Sequence, residues 1–181
     1  TLEDVKRAVG VISKHNNDFA LLQCSSTYPA PPEELNLRVI ETYRREFPGR
    51  VIGLSHHSPG IAVSIAAYAM GARVIEQHFT LNRAWRGTDQ HFSIEPLELG
   101  LLRNYTWKVQ QALGDGEKKV RASELPGIQK NAKSLYWARD LPKGHVVTED
   151  DIVSRSPGDN KPPWQMREIV GEELIYPVYE E

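Results

Sequence analysis

Three apolar runs end in residues able to do chemistry: "QCSSTY" (23–28), "LSHHS" (54–58) and "EQHFT" (76–80). Each run reads as a strand. In parallel α/β folds the C-terminal strand ends open onto the loops where ligands bind, so three polar strand ends suggest one shared rim. Side chains alternate faces along a strand, which puts Ser55 and His57 on one side and His56 on the other. The same parity pairs Glu76 with His78 and Ser26 with Tyr28. Two neutral imidazoles from neighbouring strand ends, His57 and His78, can offer two ligands to a divalent cation and leave positions open for water or substrate. Alternatively, each ring caps or hydrogen-bonds its own strand end. Glu76 orients His78, binds substrate or pairs with a basic neighbour. Ser26 and Tyr28 serve either a site or the packing of their loop, and His56 reads as structural or solvated. Asp89, in "WRGTDQHFS" (85–93), stands on the same rim and is otherwise a turn or cap residue.

The elements that must hold these residues follow from periodicity. Thr1 can cap a helix whose apolar face is Leu2, Val5, Ala8, Val9 and Ile12, running to about Lys14. "DFALLQCSS" (18–26) has the look of a strand buried on two faces. Leu35, Val39, Ile40, Tyr43 and Phe47 form a helical stripe with Pro32 placed to open it. The order then repeats as strand "RVIGLS", helix "PGIAVSIAAYAMGA" and strand "RVIEQHFT", with a last helix through Leu102, Tyr105, Val109, Ala112 and Leu113 stopped by Gly114. A strand every 25 to 30 residues or so, each followed by a helix, is the rhythm of right-handed βαβ units on a parallel sheet. The charged stretch 115–133 lacks sustained periodicity and reads as a linker. From Ser134 onward, short apolar runs between turn dipeptides (Lys143-Gly144, Pro157-Gly158) predict a small β-rich module.

Composition bounds the partners. With 181 residues, 40% of them hydrophobic and 25% charged, the chain can bury a core. A net charge of -2 supplies no basic field for nucleic acid. No apolar run approaches the ~20 residues of a membrane span, and the N-terminus has no signal-peptide layout, so a cytoplasmic protein is expected. Cys24, the single cysteine, reads as a buried small apolar residue.

The segments "LQCSSTYPAPPEELNLRVI", "VIGLSHHSPGIAVSIAAYAMGARVIEQHFTL", "RGTDQHFSIEP" and "KSLYWARDLPKGHVVTEDDIVSRSPG" together resemble, in the same order, the motifs of the sialic acid (N-acylneuraminate) synthase family. The resemblance implies an α/β fold: the last three strands and helices of a TIM (β/α)8 barrel (1–114), a linker (115–133) and a small antifreeze-like SAF domain (134–181). It implies condensation of phosphoenolpyruvate with an N-acylmannosamine-type sugar to give a nine-carbon 2-keto acid and phosphate. By position, His57 and His78 match the family's ligands to a divalent metal, Mn2+ first, with Mg2+ or Co2+ as alternatives. Ser26 and Ser55 match phosphoenolpyruvate contacts; Tyr28 and Asp89 match amino-sugar contacts. Arg155 resembles the arginine that the SAF domain of one subunit inserts into the barrel of the other, which implies a domain-swapped homodimer.

Three departures bear on that reading. Many relatives carry Asp where this chain has His56, a change that bears on how His57 is oriented. The family's "RPG" becomes Arg155-Ser156-Pro157-Gly158, one residue longer. A complete barrel needs about 250 residues, so the first five strands are missing and the chain is expected to be inactive alone, as the C-terminal part of a longer protein or the partner of a separate N-terminal chain. The competing expectation is a noncatalytic carbohydrate-binding or assembly module built on the SAF-like domain.

Overall fold

Alternation along "VIGLSH" divides one strand into a face that needs covering and a face that presents polar groups. The structure, a computed structural model describing residues 1–180, realises that division in the first of two compact units, Thr1–Gly116 and Glu117–Glu181. In the first unit, α1 (Leu2–Ile12) starts from a capping box between Thr1 and Asp4. There follow β1 (Ala20–Cys24), α2 (Val39–Glu46), β2 (Val51–His56), α3 (Ala62–Ala69), β3 (Val74–Gln77) and α4 (Pro96–Leu113). The strands form a parallel sheet in the order β1-β2-β3. Gly71, at φ +107°, ends the turn after α3 in the left-handed region that glycine tolerates.

One face of this sheet is covered. Ile52 and Leu54 pack with Ile40, Tyr43 and Phe47 of the α2 segment and with Ala67 and Ala72 around α3, flanked by Leu21, Ile75 and the α1 residues Leu2, Val5 and Val9. The other face carries Leu22, Cys24, Gly53, Ser55, Val74 and Glu76 in register. It is open: Val51 is 47% and Val74 37% exposed. The expectation that β1 is buried on both faces is therefore corrected, and with it the reading of Cys24, which is exposed because it lies on the uncovered side. Pro32 opens a single 3-10 turn, Pro32–Glu34, rather than α2; Asn36, at φ +45°, separates the two, although Leu35, Ile40, Tyr43 and Phe47 are all buried as their spacing predicts.

The second unit has its own core of Leu135, Val147 and Ile152, packed with Trp137, Met166, Ile169, Val170 and Leu174. Its strands β4 (Ser134–Trp137) and β5 (Ile152–Arg155) pair antiparallel; "HVVT" and "LIYPVY" contribute isolated bridges, Val146 to Glu173 and Leu141 to Val178. The stretch read as a linker holds a short helix, α5 (Leu125–Asn131), whose C-terminal end receives the Gly158 N–H at Gln129 O and the Ser156 hydroxyl at Asn131 O. Among the described residues no helix is long and apolar enough to cross a membrane.

Candidate active site on the open sheet face

The parallel register sets Cys24, Ser55 and Glu76 in one row across the open face. Ser55 Oγ donates to Glu76 Oε1 at 2.7 Å, so the serine is held by the carboxylate of the next strand. The next same-side residue on β2 is His57 and on β3 His78. Their rings stand 5.2 Å apart between centroids and nearly perpendicular, at 83°.

Each ring is held from behind. His57 Nδ1 lies 2.9 Å from the carbonyl oxygen of Ser25. A carbonyl only accepts, so Nδ1 carries the hydrogen and Nε2 of the neutral ring keeps its lone pair. His78 Nδ1 is 3.5 Å from Asp89 Oδ2, an ion-pair separation rather than a hydrogen bond. Asp89 reaches this position because its loop is pinned to the strand end: Ile94 N–H donates to His78 O and Thr80 N–H to Ile94 O, both at 2.9 Å. Ser93 Oγ closes the turn by donating to Asp89 O.

Tyr28 forms the wall. Its ring lies 3.8 Å from that of His57 at a 31° tilt, and Ala30 N–H donates to His57 O to hold the loop there. Phe92 is the floor, fully buried, with its ring 5.1 Å from His78, 6.1 Å from Tyr28 and 6.5 Å from His57. These contacts leave His57 only 5% exposed, and Ser55 on the same face is buried as well. Ser26 lies exposed near the same rim with no side-chain hydrogen bond among the described residues.

His56 faces the other way and is wholly buried. Ser58 N–H approaches its Nδ1 at 3.3 Å, and Nε2 is 2.7 Å from Ser64 Oγ, which in turn donates to Gln77 Oε1 at 2.9 Å. Burial pushes the His56 imidazole below its ordinary pKa; hydrogen bonding toward Gln77 opposes this, and electrostatic repulsion between the His56 and His57 rings when both are protonated adds to it. The sequence reading assigned no role to Phe92, Ser64 or Gln77. Parity held a signal for Gln77: it is a polar residue at a core-facing position, and buried polar groups require partners.

Arg155 belongs to the second unit, where it is exposed and lies over the Tyr136 ring, 5.2 Å from its centroid. Tyr136 OH contacts Pro157 O and Asp159 Oδ1 at 3.0 and 2.5 Å.

As a donor set, the first unit supplies two imidazoles, with His57 Nε2 unprotonated, and a nearby carboxylate. Among the described residues no three His, Cys, Asp or Glu side chains converge as a ready cage. Two imidazole nitrogens suit a borderline ion such as Co2+ better than Mg2+, which prefers oxygen; the harder Mn2+ would need carboxylate or water oxygens beside them, and either ion would keep open positions.

A parallel β/α unit with paired imidazoles beyond its strand ends has the organisation of a ligand-binding or catalytic layer of an α/β enzyme. More particularly, the chain belongs to the NeuB family, whose pattern matches residues 1–118. It is 37% identical over its full length to human N-acetylneuraminate-9-phosphate synthase and 36% identical, over 94% of its length, to N,N'-diacetyllegionaminic acid synthase of Campylobacter jejuni. It spans about half of each relative, 51% and 52%. The crystal structure of N-acetylneuraminic acid (sialic acid) synthetase from Leptospira borgpetersenii, a citrate complex, superposes on 71% of this chain and 45% of its own with a TM-score of 0.64 at 36% identity.

Proposed function

We propose that this chain forms the last three strands and helices of a (β/α)8 barrel and the SAF-like domain of a sialic-acid-type synthase, a transferase condensing phosphoenolpyruvate with an N-acyl amino sugar. The observation that carries the reading is the pairing of His57 and His78 on the open face, with His57 Nδ1 committed to Ser25 O so that Nε2 is free to ligate. The synthase relatives support the reaction class.

His57 and His78 would hold a divalent ion, Mn2+ first, and the ion when bound would polarise the open-chain aldehyde of the sugar toward C3 of phosphoenolpyruvate. Around it, Ser55 would turn its hydroxyl from Glu76 to donate to the acidic cosubstrate, and Ser26 adds an unengaged hydroxyl from the neighbouring loop. Tyr28 presents a ring and a phenol to the sugar. Asp89 divides its carboxylate between steadying His78 Nδ1 and accepting sugar hydroxyls. Glu76, exposed and bonded through one oxygen only, retains acceptor capacity for the water that adds to C2 before phosphate leaves. Arg155, a fixed cation, would close the site from the partner subunit in a domain-swapped homodimer.

The test is phosphate release from phosphoenolpyruvate by the complete protein carrying this chain, with Mn2+ and a panel of N-acyl sugars: N-acetylmannosamine, its 6-phosphate, and the legionaminic and pseudaminic acid precursors. Activity should depend on added metal and disappear in His57→Ala and His78→Ala. Undiminished turnover by either variant in chelator overturns the reading. Sugar binding without phosphate release would favour a noncatalytic carbohydrate-binding module instead.

A further inference from the structure

We propose that His56 is a positioning residue for the His57/His78 pair, acting through a one-way hydrogen-bond chain across Ser64 and Gln77. The inference rests on the reading above that the two outward rings work as one site.

The chain has a single consistent proton arrangement. The Ser58 backbone N–H can only donate, so His56 Nδ1 accepts and Nε2 bears the hydrogen. Nε2–H then donates to Ser64 Oγ, the Ser64 hydroxyl to Gln77 Oε1, and the Gln77 amide to Gly60 O at 2.6 Å. Reversing the His56 tautomer would leave the buried Ser58 N–H facing another N–H. Every donor in the present arrangement has an acceptor, and no buried side-chain polar atom among the described residues lacks a partner.

Its position gives the chain a purpose. His56 and Gln77 are the last register pair between β2 and β3, on the helix-covered face. The residue after each is His57 and His78, turned to the open face. Past this pair the backbone ladder between the two strands ends, so the spacing of the outward rings depends on the loops that hold each ring and on what ties their immediate predecessors together. That tie is Ser64 in the first turn of α3, reinforced at the Gly60 turn that leads into the helix. The three polar groups thus brace two strand ends and a helix start from behind the site.

The test uses the complete protein carrying this chain and three variants of it. His56→Phe keeps ring volume and removes both nitrogens, Gln77→Leu cuts the far end, and His56→Gln restores a donor where Nε2 stood. Folding is checked by circular dichroism, Mn2+ affinity by electron paramagnetic resonance of the free ion, and ring proximity without metal by nuclear Overhauser contacts between His57 and His78. We expect folded His56→Phe and Gln77→Leu to lose about 10- to 100-fold in Mn2+ affinity together with the ring contacts, and His56→Gln to keep both within about threefold. Folded His56→Phe with unchanged affinity and ring contacts overturns the proposal. Should that variant not fold, the 15N spectrum of the unaltered protein decides: a His56 tautomer protonated at Nδ1 overturns the chain, and one protonated at Nε2 supports it. If the unaltered protein shows the ring contacts but binds no Mn2+, the metal reading fails while the ring contacts of the variants still judge His56.

Discussion

Two adjacent histidines with opposite orientations show how little a residue type says without its direction. His57 meets Tyr28 and a backbone carbonyl on the open face; His56, one peptide away, is sealed beneath the sheet. Its depressed pKa has a definite consequence for stability. A histidine that is harder to protonate folded than unfolded contributes fully above its unfolded value, about 6.5, and loses that contribution as pH falls through the lower folded value. The melting temperature of the first unit should therefore fall as pH drops below about 6.5, and His56→Gln should flatten that limb. Asp151 in the second unit is the acidic counterpart. It accepts from His145 Nε2 at 2.7 Å, from Thr148 N and Oγ at 2.9 and 2.7 Å, and from Arg139, and these donors hold its carboxyl well below the usual carboxylate range. The stabilisation is complete above the unfolded pKa of about 3.9 and fades only as pH falls toward the lower folded value. Asp151→Asn should lower the melting temperature of this unit at neutral pH and remove the acid-side dependence.

The strands carry the next level of information. Parity read from the sequence correctly separated Ser55, His57, Glu76 and His78 from His56, because alternation is a property of the extended backbone and needs no tertiary knowledge. Burial was less legible. "ALLQC" is apolar throughout and suggests two covered faces, yet Cys24 and Val74 show that one face has no cover in this chain. Gly53, central on that face, has a clear structural reason: a Cβ there would meet the Val74 carbonyl oxygen and come within 2.9 Å of Val74 Cβ and 3.0 Å of Leu22 Cγ. Gly53→Ala should cost about 1–3 kcal/mol in urea unfolding by forcing the three strands apart. An alanine variant as stable as the parent would show that the sheet relaxes at that point.

Two cores imply two melting events. The first unit closes around Ile40, Ile52 and Leu54 and the second around Leu135, Val147 and Ile152. Calorimetry should resolve two transitions, with Asp151→Asn moving one and Gly53→Ala the other; a single transition shifted equally by both would contradict independent cores. The open face bears on the rest of the protein. Parallel sheets are ordinarily covered on both sides, and the relatives are about twice this length. The chain alone should bind an apolar fluorescent probe at Leu22, Val51 and Val74, and the complete protein should not.

Local physics was enough to read much of this from one dimension. Period 2 placed the chemistry-bearing residues on a common side, period 3.6 and the glycines located the helices, and the motifs pointed to the family. Only the folded chain decided the rest, because those facts depend on partners distant in sequence. Ser25 O selects the tautomer of His57 across 32 positions, Phe92 arrives from a polar loop to floor the site, and Ser64 and Gln77 decide between the structural and solvated readings of His56 by burying it as a brace. Hydrogen-bond partners and ring contacts are set by which strands and helices pack together, and no local periodicity encodes that.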